Sequence, residues 1–323
     1  MALRSLDRRL IRRVRGRLGA LELGSGSYRT PLERTDSRTL APDYEGTIHT
    51  WDIDGTYLDT DVSSLGRLLL TAVEFAVDKR AIPGTPELLK GIRRGVGPTH
   101  QQTPLYFVSA SPPQLRGVLE RKMLVDGVEP DGITLKDQLH HILRGRPDQL
   151  RNHIGYKLAA LLTNRRTHPI GSREYLHGDD KEADAVIYAT YAAILDGGLR
   201  GDALRWTLSE HAVHPDDARY ITTLADDLPA GGEVVKIFIR VVPGSDPESL
   251  ATLDERITPI RDAFQTALVL WEEGEIDGDT VLQVAQQVPQ EDSLAASIDD
   301  AAIRHLIQVQ TASRWRRTLA RSV

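Results

Sequence analysis

The stretch TIHTWDIDGTYLDTD, residues 47 to 61, places two carboxylates one residue apart, Asp52 and Asp54, at the end of a β-like run. In an extended strand alternate side chains share a face, so the two acids point the same way. Like charges so placed repel unless a cation or a phosphate reaction uses them. Chemically able residues recur at matching places further on. LYFV runs into Ser109, and EYLH runs into Gly178-Asp179-Asp180 with Asp184 beyond. Lys157 begins the helix leading to EYLH. Together these residues offer carboxylates for Mg2+, a nucleophile, a hydroxyl, and an ammonium for phosphate.

The elements that must hold them alternate. Strands are predicted at 47–53, 105–109, 133–135, 174–177 and 234–242, with helical patterns at 64–79, 85–94, 113–124, 156–166, 181–195 and 216–227. Such alternation predicts a mostly parallel sheet covered on both faces. In that architecture ligands gather beyond the carboxyl ends of the strands, which is where the singled-out residues stand. Residues 247–323 are expected to be helical, with Ile260, Ala263, Phe264, Ala267, Leu268 and Trp271 on one buried face. The expected organisation is a basic amphipathic segment and linker over 1–45, an α/β domain over 46–243, and a C-terminal helical segment over 244–323.

Composition narrows the function classes. A chain of 323 residues is long enough for one large or two smaller domains. No window approaches the ~18 apolar residues of a membrane span. With no cysteine there is neither a disulfide nor a thiolate site, which is compatible with a reducing cytoplasm. A net charge of −6 argues against a general nucleic-acid binder. The first 20 residues differ: seven arginines face one acid, Asp7, while Leu3, Leu6, Leu10, Val14 and Leu18 recur at helical spacing. That segment reads either as a helix packed on the body of the protein or as a peripheral contact with an anionic membrane through residues 1–21.

DIDGT at 52–56, a strand ending in Ser109, the isolated Lys157 and GDDKEAD at 178–184 resemble, in order, the four motifs of the haloacid dehalogenase (HAD) superfamily. Within it the pattern is similar to the actin-patch phosphatidate phosphatase group, distantly lipin-like, which carries VSxSP-x-QL, then Lys-Leu, then GDSGQxDPEIY. Here the corresponding stretches are VSASPPQL at 108–115, Lys157-Leu158 and GDDKEADAVIY at 178–188. Gly55 stands where that group usually has Asp, and Asp180-Lys181-Glu182 replaces Ser-Gly-Gln. The resemblance covers roughly residues 46–242. It implies a HAD-like Rossmannoid three-layer α/β sandwich and a Mg2+-dependent phosphatase working through an aspartyl-phosphate. It further implies Asp52 as nucleophile, Asp54 as acid and base, Thr56 holding the motif's turn through its hydroxyl, and Ser109 and Lys157 on the phosphoryl oxygens. The metal set it implies is Asp52, the Asp54 carbonyl and Asp179, with Asp184 directly or through water.

Taken singly, each residue has a plainer reading. Ser109 would cap the helix opened by Pro112, Lys136 in ITLKD rivals Lys157 for phosphate, and His177 and His140-His141 would satisfy structural hydrogen bonds. The inserts at 57–102 and 131–156 are too short for a full cap, so little or no cap is expected. An open site suits a bulky substrate such as a lipid phosphate. The alternatives are a soluble phosphatase acting on a phosphoprotein, nucleic-acid end or small metabolite, and a non-catalytic lipid- or partner-binding module of the same fold.

Overall fold

The computed structural model describes residues 32–59, 80–97, 101–137, 153–181, 183–229, 231–242, 244–289 and 294–322. The amphipathic segment 1–21, the helical pattern at 64–79, and His140-His141 lie outside the described residues, as do large parts of both inserts.

Seven strands make one sheet: β1 (Leu32–Asp36), β2 (Thr47–Asp52), β3 (Leu105–Ser109), β4 (Gly132–Lys136), β5 (Arg173–Asp179), β6 (Glu233–Arg240) and β7 (Ile257–Ile260). Their order is β1-β4-β3-β2-β5-β6-β7, with β1 antiparallel and the other pairs parallel. β2, β3 and β4 are buried along their whole length, as strands covered on both faces must be. The helices are α1 (Thr85–Arg94), α2 (Arg116–Asp126), α3 (His153–Arg165), α4 (Asp184–Leu195), α5 (Gly201–Glu210), α6 (Pro215–Asp226), α7 (Pro247–Ala251), α8 (Ala263–Glu272), α9 (Gly278–Gln287), α10 (Leu294–Ile303) and α11 (Val309–Ser322). Local chemistry explains several of their ends. Pro86 occupies the first turn of α1 and Gly95 closes it, while Asp262 and Asp277 cap α8 and α9 by accepting from Gln265 N and Thr280 N.

The sheet divides two cores. On one side Trp51, Phe107, Ile133, Tyr175 and Phe238 pack against α1, α2 and the C-terminal helices α8 to α11. On the other, Val108, Leu176, Ile237 and Ile239 meet α3, α4, α5 and α6. This is the expected three-layer α/β sandwich with a mostly parallel sheet. Three local expectations differ. The polar run LERTD, read as linker, is the antiparallel edge strand β1. ITPI, inside the region read as helical, is the strand β7. Residues 201–210, for which the pattern predicts no element, form α5. Both extra strands lie at sheet edges, where pairing with one neighbour suffices.

One row of rings crosses the first core. His49 stacks on Tyr175 at 4.8 Å, and His177 stacks on Trp51 at 3.9 Å and on Phe238 at 5.0 Å. His49 Nδ1 and His177 Nε2 share a hydrogen bond of 3.0 Å. Burial pushes the His49 imidazole down to about 3 from its ordinary 6.5, and burial with the neighbouring His49 holds His177 well below its ordinary value too. Between pH 6.5 and about 3 the unfolded chain therefore binds a proton at His49 that the folded chain refuses, so stability falls as pH falls through that window. Each such group contributes a slope of about 1.4 kcal/mol per pH unit. Urea denaturation at pH 7 and pH 5 should show a lower midpoint at pH 5, and an unchanged midpoint would show that the folded chain takes up protons at these rings as readily as the unfolded one.

Candidate functional site

β2 ends in Asp52 and β5 ends in Asp179, and the two strands are parallel neighbours. After Asp52 the chain turns sharply: Tyr57 N and Leu58 N both donate to Ile53 O, at 3.1 and 2.8 Å, and Gly55 N donates to Leu58 O at 2.9 Å. Gly55 sits at φ +80, a conformation that favours glycine. A Cβ at Gly55 would overlap Asp179 Oδ2, so the carboxylate of β5 lies directly against the backbone that follows Asp54.

The remaining groups arrive from three other elements. Ser109, the last residue of β3, donates from Oγ to Asp54 Oδ2 at 2.9 Å. Ser111 Oγ donates to the same oxygen at 3.0 Å, and its backbone N donates to Ser109 Oγ at 2.9 Å. From α3, Lys157 Nζ reaches Asp52 Oδ1 at 2.8 Å and Asp184 Oδ1 at 2.6 Å. Asp184, in the first turn of α4, also accepts from Asp179 N at 3.3 Å. Asp52, Asp54, Ser109, Lys157, Asp179 and Asp184 are all buried. The fold thus brings six of the seven singled-out residues together, and Lys157 bridges two of the four carboxyl groups, Asp52 and Asp184.

Two expected roles change on contact with the structure. The Thr56 hydroxyl does not hold the turn: it is buried and makes no hydrogen bond among the described residues, while backbone bonds do the holding. Ser109 does not cap the helix after Pro112, because its hydroxyl is turned to Asp54. Ser111 was missed, although it stands in the same SASP segment; its spacing from Ser109 is the signal that would have found it. His177 takes part in the ring stack and its hydrogen bond with His49.

The rival lysines occupy different places. Lys136 is buried at the end of β4, with Nζ 5.7 Å from the centre of the Tyr156 ring. Tyr156 in turn donates to Ser109 O at 2.6 Å and to Thr134 O at 3.0 Å. Lys157 touches Asp52 itself. Removing Lys157 leaves two buried carboxylates without their shared cation, a loss on the order of 3–5 kcal/mol. Lys157→Ala should lower kcat/KM by orders of magnitude, whereas Lys136→Ala should act chiefly on thermal stability. Steady-state kinetics beside melting curves test this, and the reverse ranking would transfer the role to Lys136.

Whether a divalent cation fits can be judged from the donors. Among the described residues no three acidic or histidine side chains converge as a ligand cluster. The Asp54 carboxylate is turned to the two serines and Lys157 bridges Asp52 and Asp184, while Asp52 and Asp179 stand side by side at the ends of β2 and β5. Asp179 lies against the backbone at Gly55, the residue that follows Asp54. All are hard oxygen donors, so the site fits an ion that takes two carboxylates and a carbonyl and keeps several waters.

Residues 50–201, just under half the chain, match the model of the catalytic domain of the phosphatidate phosphatase APP1. The matched segment includes all seven singled-out residues and bears out the resemblance to the HAD superfamily. It excludes β1, β6, β7 and the C-terminal helices. No curated protein and no solved structure matches the chain.

Proposed function

From the likeness of residues 50–201 to the phosphatidate phosphatase APP1 catalytic domain, we propose that this protein is a Mg2+-dependent phosphatase that hydrolyses a phosphomonoester, a lipid phosphate such as phosphatidate first among them. The observation that carries the reading is the contact of one buried lysine with Asp52 and Asp184 while two serine hydroxyls orient Asp54. A lone Asp-x-Asp turn has no need of such an arrangement.

In this reading Asp52 attacks phosphorus, the P–O bond to the leaving group breaks, and an aspartyl-phosphate forms. Asp54 donates its proton to the departing alkoxide, then takes one from the water that cleaves the acyl-phosphate. Ser109 and Ser111 fix the Asp54 carboxyl so that one orientation serves both steps. Lys157 holds Asp52 against Asp184 and places positive charge where the phosphoryl oxygens gather. Asp52, the Asp54 carbonyl and Asp179 would hold Mg2+, with Asp184 acting through Lys157 or a water. When bound there, Mg2+ would neutralise the phosphoryl charge that these carboxylates otherwise repel.

No helix among the described residues is long and apolar enough to cross a membrane. The arginine-rich segment 1–21 is the part we propose to meet an anionic lipid surface, where each basic residue contributes about 1 kcal/mol. The test is a panel of p-nitrophenyl phosphate, phosphatidate in mixed micelles, a phosphopeptide and a sugar phosphate, each with Mg2+ and with EDTA. Hydrolysis should require Mg2+ and be fastest with phosphatidate. A Mg2+-dependent preference for the phosphopeptide or sugar phosphate would move the substrate class, and no hydrolysis of any would leave the fold as a binding module.

A further inference from the structure

Arg240 lies outside the matched segment, yet from β6 it reaches the turn that follows Asp54. It is the last residue of that strand, in register with Asp179. Its Nε donates to Gly55 O at 2.7 Å, and its carbonyl accepts from Asp180 N at 3.3 Å. Asp180 also accepts from Val242 N, so the ends of β5 and β6 are tied together around this residue. One guanidinium nitrogen is thereby committed. The two terminal nitrogens have no protein partner among the described residues.

A recess opens at this point between the sheet and the helices α1 and α8, where Arg240, Thr56 and Thr266 stand among mostly apolar side chains such as Ile82, Phe238 and Ile260. Thr56 is 6% exposed and its hydroxyl has no hydrogen-bond partner. A buried hydroxyl left unsatisfied is costly unless a ligand or water completes it. An arginine needed only to brace the turn would be sufficient with its Nε. Instead a fork with two uncommitted nitrogens stands beside an unsatisfied hydroxyl, one residue from the backbone against which Asp179 rests. That is a donor set for anionic oxygen, and the planar fork suits phosphate.

We propose that Arg240 is a substrate-binding residue whose terminal nitrogens receive a non-reacting oxygen of the phosphomonoester, with Nε holding the fork in place on the Gly55 carbonyl. This rests on the phosphatase reading and deepens it, placing part of phosphate recognition outside the matched catalytic segment. The recognised group is the phosphoryl group itself, common to lipid headgroups and free phosphate.

The experiment compares wild type with Arg240→Lys and Arg240→Ala, using p-nitrophenyl phosphate, phosphatidate in mixed micelles, and inorganic phosphate as the binding probe. Loss of charge-assisted hydrogen bonds to phosphate costs roughly ten- to a hundredfold in affinity. KM for both substrates and the inhibition constant of inorganic phosphate should rise by that factor in Arg240→Ala, with kcat changing less. Arg240→Lys should recover part of the loss, and added guanidinium should partly rescue Arg240→Ala. Inorganic phosphate should also raise the melting temperature of wild type more than that of either variant, a readout that needs no turnover. Loss of kcat with unchanged phosphate affinity would overturn the proposal and leave Arg240 a brace for the turn. Weakening on phosphatidate alone would also overturn it, because the contact would then be with the rest of the lipid. If wild type hydrolyses substrates but all three proteins bind phosphate equally, the subsite falls and the phosphatase reading stands. If wild type neither hydrolyses them nor responds to phosphate, both fall.

Discussion

Asp52→Asn should abolish turnover, because an amide at the end of β2 cannot form the acyl-phosphate on which the proposed route depends. The substitution is nearly isosteric and keeps a group beside Lys157, so the melting temperature should change far less than the activity. Asp54→Asn is the informative companion. It retains the nucleophile and the two serine contacts but removes proton transfer, which contributes typically ~10²–10⁴-fold. Burst kinetics with p-nitrophenyl phosphate separate the two variants: Asp54→Asn should release leaving group slowly, and Asp52→Asn should release none. Wild-type turnover in Asp52→Asn would end the covalent mechanism.

Gly55→Ala should also lower activity sharply although it removes no functional group. At φ +80 an alanine carries a strain on the order of 1–2 kcal/mol. The larger effect is local, since the new Cβ would take the space of Asp179 Oδ2. Asp179 is buried, and its other oxygen accepts from Lys181 N at 2.8 Å, so the carboxylate must swing away from the Asp54 backbone. Misplacing a catalytic group by about 1 Å costs on the order of 10²-fold. The Mg2+ concentration giving half-maximal activity should rise together with that loss, while circular dichroism stays native-like. A Gly55→Ala enzyme with unaltered Mg2+ dependence would show that Asp179 does not hold the ion.

Much of this was legible in the residues. The β-branched and aromatic runs at 47–52 and 105–109 are strands, Pro86 and Gly95 bound α1, and DIDGT, VSASP and GDD stop where strands stop. These features depend on local propensity and period, which a sequence carries directly. The placement of Asp52, Asp54, Ser109, Asp179 and Asp184 followed from the rule that parallel strands present their carboxyl ends together. The sequence by itself determined which residues stand at the strand ends and the layers that support them.

Tertiary structure decided what depends on partners distant along the chain. LERTD has no apolar alternation, and it is a strand because β4 offers an edge to pair with. ITPI is too short to stand out, and β6 makes it a strand. Two lysines, 136 and 157, were equal in type; only the packing of α3 brings Lys157 to Asp52 while Lys136 lies over Tyr156. Thr56 looked like a hydrogen-bonding turn residue, but Gly55 and the Ile53 carbonyl complete that turn through the backbone, leaving its hydroxyl in the recess. Arg240 is one of many arginines until β6 sets it beside β5, 185 residues along the chain from the carbonyl it clamps. Spacing along a chain encodes which face a side chain takes, but a contact across a sheet depends on which strands become neighbours, and only the folded core settles that.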